Sequence, residues 1–185
     1  MELVWTNKLS VGNAIIDCEH RNLISMVRDV AHEIRARDIA ALLQTFGLLE
    51  NWLHAHFANE EKIALATEYP FEQHKVAQQY LLKEFRYMRA ELVSKNGLWS
   101  DGAIKHFSRS LKNWMIDEHI LKLDMRMKPA LQAYGYDFLP GQEDSATGHA
   151  RREVSLHAEI SNPSWCGCGC GCDEFANPAR NAATV

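Results

Sequence analysis

No stretch of this chain approaches the roughly 18 consecutive apolar residues that a membrane-spanning helix requires, which argues against insertion into a bilayer. A basic stripe is also missing. With 20 Lys and Arg against 24 Asp and Glu, a net charge of -4 and an isoelectric point near 6.1, nucleic acid and anionic membrane surfaces are disfavoured as partners. The opening residues, Met1 to Lys8, have neither the charged start nor the long apolar run of a secretory signal, so a cytoplasmic protein is expected. Cysteine is scarce where a disulfide framework would need it. Cys18 stands alone and the other four crowd into one run near the C-terminus, which agrees with a reducing compartment. Strand-type alternation of apolar and polar residues occurs nowhere, and no repeat of solenoid length is present.

What remains is helical periodicity, in a chain whose apolar fraction of 46% can build a real core. An arm with Trp5, Val11, Ile15, Ile16 and a Gly12-Asn13 turn comes first. Asp17 then reads as the N-cap of a helix over 18–36, with Leu23, Ile24, Val27, Val30 and Ile34 at three- and four-residue spacings. Asp38 caps a second helix reaching about 66, whose apolar face runs through Leu42, Phe46, Leu49, Trp52, Leu53, His56, Phe57 and Ile63. Tyr69-Pro70 breaks the chain, and a third helix runs from near Phe71 to Asn96-Gly97. Ser100 or Asp101 caps a fourth, with Ile104, Phe107, Leu111, Trp114, Met115, His119 and Leu123 on its core face and Pro129 closing it. Four amphipathic helices joined by short loops predict an all-α, antiparallel up-down four-helix bundle over 1–140, with residues 130–140 as an aromatic cover. From 141 to 185 the composition turns to Gly, Ser, Ala and Asn with few large apolar residues, and a largely disordered tail is expected there.

Polar residues interrupt the apolar faces at matching heights. His56 and Glu60 stand four residues apart, one turn along the same face, and would be costly to bury without partners. In antiparallel order His20, His74, His119 and Asp124 reach the same layer. Four imidazoles and two carboxylates hold more nitrogen than magnesium or calcium sites use and more ligands than one zinc needs, so two octahedral-leaning ions fit best. His119 and Asp124 are five residues apart, about 140° on an ideal helix, so Asp124 must reach around or the helix must loosen locally. His54 points elsewhere on its helix, and Cys18 reads as a packing residue beside the site.

This pattern resembles the hemerythrin family, specifically its bacterial members. The resemblance is carried by Trp5, Val11-Gly12, Asp17-Cys18-Glu19-His20, His56-Phe57-x-x-Glu60-Glu61, Glu72-Gln73-His74-Lys75 and His119-x-x-x-x-Asp124, in order across residues 3–136. It implies a non-haem centre of two iron ions that binds O2, with Glu60 and Asp124 bridging, His20 and His56 on the oxygen-binding iron, and His74 and His119 on the other. The family has a further histidine four residues after the one matched by His74. Here that position is Gln78, whose amide oxygen can bind weakly, hydrogen-bond a coordinated water, or leave a vacancy.

The resemblance implies oxygen carriage, storage or sensing, without catalysis. Gln78 leaves open an enzyme acting on peroxide or nitric oxide. A dry shell would help O2 leave unchanged, and Ile24, Trp52, Phe57 and Leu123, each about one turn from a ligand, are candidates for it, although each also reads as plain core. The tail run Cys166-Gly167-Cys168-Gly169-Cys170-Gly171-Cys172 could fold four thiolates around a soft ion such as Cu(I) or Zn(II), which would make the protein a metal handler, or could be redox-labile with no dedicated metal. The sequence identifies no protein partner.

Overall fold

The computed structural model describes residues 3–141, and among them the regular structure is entirely helical. After a short 3-10 turn at Asn7–Leu9 come α1 (Ala14–Ala36), α2 (Ile39–Ala66), α3 (Glu72–Ser94) and α4 (Asp101–Lys112). The rod of α4 continues as a π-helix over Asn113–Leu123 and a 3-10 turn over Asp124–Arg126, and a four-residue α5 (Lys128–Leu131) follows. Helix α1 packs on α2, α2 on α3, α3 on the π segment, and α4 with the π segment back on α1, which closes a four-helix ring. The tail with Cys166, Cys168, Cys170 and Cys172 lies outside the described residues. No described helix is long and apolar enough to cross a membrane.

Two of the expected boundaries change. Asp17 is not the cap of α1. Asn13 is, its side-chain oxygen accepting from the backbone N–H groups of Ile15 and Ile16 at 3.1 and 3.2 Å, so the helix starts a turn earlier and His20 sits in its second turn. Asp17, 1% exposed, instead ties down the arm by accepting from Val11 N–H at 2.8 Å and from the Ser10 hydroxyl. Pro129 likewise does not close the fourth helix; the 3-10 turn at Asp124–Arg126 does, and Pro129 lies at the start of α5, where its missing N–H costs nothing.

The core comes in two pieces. The larger runs from Leu23, Val27 and Ile34 of α1 through Leu42, Leu49 and Leu53 of α2 and Phe85 of α3 to Leu111, Met115 and Ile120. The smaller joins Val11, Ile16, Ile63, Ala64, Met127 and Leu131 at the end covered by the arm and α5. Between them each helix gives up its apolar pattern for one turn: His20 falls between Ile16 and Ile24, His56 and Glu60 between Leu53 and Ile63, and Asp124 between Ile120 and Met127. The polar layer is thus sealed by hydrocarbon above and below.

Because the arm forms part of that seal, Asp17→Ala is expected to lower the urea unfolding free energy by about 1–3 kcal/mol, the range for stranding buried partners. Helix content by circular dichroism should hold, since Asn13 keeps the cap. A loss of helicity with unchanged unfolding cooperativity would return Asp17 to a capping role.

Candidate metal centre

A π-helix bonds each N–H to the fifth carbonyl back instead of the fourth, so its wider turn brings residue i+5 round toward the face of residue i as well. That is the spacing of His119 and Asp124. Through the π segment the buried positions become Met115, Ile116, His119 and Ile120, then Asp124, while Leu123 is left half-buried. His119 Nδ1 and Asp124 Oδ1 stand 3.2 Å apart as a result.

The structure brings together all six histidine and carboxylate candidates. One donor atom from each of His20, His56, Glu60, His119 and Asp124 lies within 4.8 Å of every other, and each of these residues is no more than 1% exposed. His74, 2% exposed, stands outside that tight set, its Nε2 3.1 Å from Asp124 Oδ1 and 3.6 Å from Glu60 Oε2. The two carboxylates face two ways. Glu60 turns Oε1 toward His56 at 3.6 Å and Oε2 toward His74; Asp124 turns Oδ2 toward His20 at 3.0 Å and Oδ1 toward His74 and His119. Gln78 joins the layer as a proton donor, its amide Nε2 lying 2.6 Å from Glu60 Oε2.

The donor chemistry fits a metal better than it fits itself. Glu60 Oε1, His74 Nε2, His119 Nδ1 and Asp124 Oδ1 are buried without a hydrogen-bond partner, although other polar atoms lie close by. His56 Nε2 and His119 Nε2 face each other at 3.1 Å, where only one can carry a proton toward the other. Such atoms converge on shared space instead of pairing, and a cation would satisfy them together.

In the metal-free chain, protons do part of that work. Burial pushes His56 down, but the carboxylates of Glu60, Glu19 and Asp124 outweigh it and lift its pKa to about 9. His74 rises to about 9 against the same opposition from burial, through Asp124 and Glu60. Burial presses His119 down to about 3, with the neighbouring imidazoles adding to it and Asp124 opposing. Glu60 is raised by burial and by Asp124, whereas Asp124 is held far below the carboxylate range because His119, His20 and His74 overcome its burial.

One residue has a role that the motif containing it does not give. Glu19 accepts from His56 Nδ1 at 2.8 Å and from Asn59 at 2.6 Å, which fixes the imidazole so that Nε2 points into the layer. Aromatic rings fix others: Trp52 stacks on His56 at 5.0 Å, Phe71 on His74 at 4.5 Å, and Phe57 meets His119 edge-on at 5.1 Å. Of the candidate shell, Ile24 and Phe57 are buried, and Trp52 and Leu123 are half-buried. His54 and His106 are exposed, away from the layer.

No family profile matches the chain. It is 29% identical over 82 residues to the bacteriohemerythrin of Stenotrophomonas maltophilia (strain R551-3), covering 44% of this chain and 54% of that one. It is 27% identical over 71 residues to the bacteriohemerythrin of Pseudomonas aeruginosa (strain LESB58), covering 38% and 46%. The chain spans about half the length of the curated relatives it matches. Over under half of its own length it is thus similar to bacteriohemerythrins, and its bundle encloses a histidine and carboxylate cluster that could hold a metal ion.

Proposed function

We propose that this is a non-haem di-iron protein that binds O2 reversibly, for carriage, storage or sensing. The observation that carries this reading is the two-way orientation of Glu60 and Asp124, each offering one oxygen to the His20 and His56 side and the other to the His74 side. Carboxylates between histidine sets are how helical bundles hold paired ions. His20, His56, His74, His119, Glu60 and Asp124 would hold the two irons, and two ferrous ions would supply the pair of electrons that O2 takes up on binding and returns on release. The residues of the chain do the rest. Glu19 keeps His56 aimed, while Ile24 and Phe57 exclude water, and with it the protons that would commit bound oxygen to irreversible reduction. Trp52 covers the His56 ring from outside.

The direct test is to load the full chain with excess ferrous iron under anaerobic conditions, count the metal, and follow the visible spectrum through repeated additions and removals of O2. About two irons per chain and a band that appears and disappears over several cycles are expected. Immediate conversion to a stable ferric product would favour turnover of peroxide or nitric oxide, the second reading, which Gln78 supports by adding no ligand nitrogen on the His74 side. Absence of iron uptake would end both.

A further inference from the structure

We propose that the two metal positions of this centre are unequal, and that Gln78 makes them so by presenting a proton donor, in place of a ligand, to the Glu60 oxygen that faces His74. The inference rests on the two-ion reading above. On one side of the carboxylates, His20 faces Asp124 Oδ2 and His56 faces Glu60 Oε1. On the other side His74 faces Glu60 Oε2 and Asp124 Oδ1, and His119 shares that Oδ1. Of those two oxygens, Oε2 already accepts the Gln78 amide at 2.6 Å.

An amide nitrogen carries two protons and offers no lone pair to a metal; only the amide oxygen can coordinate. For Gln78 to turn that oxygen inward, its NH2 would have to leave Glu60, and at 3% exposure there is no bulk water to receive it. In either orientation the penalty falls on the ion beside His74. The first position is spared, because the Glu60 atom facing His56 is Oε1. The form with both ions in place would then follow iron supply, and with it the capacity to bind O2.

The experiment is an anaerobic calorimetric titration of the metal-free full chain with ferrous iron alone, paired with an iron count after gel filtration. The first equivalent should bind at least about tenfold more tightly than the second, with about one iron per chain surviving gel filtration. Gln78→His supplies a nitrogen where the amide supplies a proton, and should tighten the second step by at least about tenfold while moving the first by less than about twofold. Gln78→Leu, a second variant in case the first misfolds, removes the competing donor and should tighten the second step by a smaller factor. Two equally tight steps in the wild-type chain would overturn the inference and leave the di-iron reading standing. So would variants that move the first step and not the second. A chain that takes up no iron would bring down the di-iron reading itself.

Discussion

Asp124→Asn is expected to abolish iron retention and to cost the metal-free fold about 3 kcal/mol, at the lower end of the range for breaking a buried ion pair. The side chain keeps its size, so the loss is one of charge alone. Asp124 is fully buried and stands 3.0 Å from His20, 3.1 Å from His74 and 3.2 Å from His119, so one carboxylate serves three imidazoles. Its removal takes away the leading attraction that keeps His74 protonated, and His74 can answer by shedding its proton, which is why the cost stays at the lower end. Iron has no such escape, because Asn puts an NH2 with no lone pair for a metal in place of one of the four carboxylate oxygens and removes a negative charge. The urea unfolding midpoint of the metal-free variant at pH 6.5 and its iron content after loading are the measurements. Asp117→Asn, in the adjoining π segment but on a partly exposed pair with Lys112, is the control and should change stability by no more than about 0.5 kcal/mol. An Asp124→Asn protein that kept its iron would show that the carboxylate is not part of the centre.

How much of this arrangement was legible depends on where each residue's partners lie. His56 and Glu60 could be read directly, because their spacing matches the α-helical turn and both interrupt an apolar face. His119 and Asp124 were legible as a conflict: a five-residue spacing on one face demands a helix wound more loosely, and the π segment supplies it. The same change of winding explains why Leu123, placed on the core face by α-helical counting, emerges half-buried, while Ile116 and Ile120 go inside. Glu19 was hidden for a different reason. Its partners, His56 and Asn59, are on another helix, and no spacing along α1 announces a contact across the bundle. Asp17 and Asn13 are both good caps in sequence; only the folded arm, with Val11 N–H and the Ser10 hydroxyl turned toward Asp17, decides between them. The same holds for Gln78, where the sequence offers an amide with an oxygen and an NH2, and the position of Glu60 selects the NH2.

The metal-free and iron-loaded chains should respond to pH with opposite signs above neutrality. In the metal-free fold His56 and His74 are lifted from 6.5 to about 9, so they hold protons that the unfolded chain has already released at pH 8. Their stabilisation is complete below pH 6.5 and is lost as pH rises through 9, up to roughly 3 kcal/mol for each, and less than twice that together because they share Glu60 and Asp124. Below pH 6.5 the sign reverses, since His119, pressed down to about 3, stays neutral in the fold while its unfolded counterpart takes up a proton. Asp124, held low by its imidazoles, adds to that loss once the pH approaches the ordinary carboxylate range. The metal-free chain is therefore most stable near pH 6.5 and weakens toward 9. Iron needs those same imidazoles without their protons, so rising pH favours the loaded form, and acidification below about pH 5 releases the metal. Thermal unfolding followed from pH 5 to 9, anaerobically, with and without ferrous iron, should show a gap in Tm that widens from 6.5 to 9 as the metal-free curve falls away. Parallel curves would mean that iron displaces no protons from His56 and His74, and the carboxylates facing them would then have to be neutralised by some group other than these two rings.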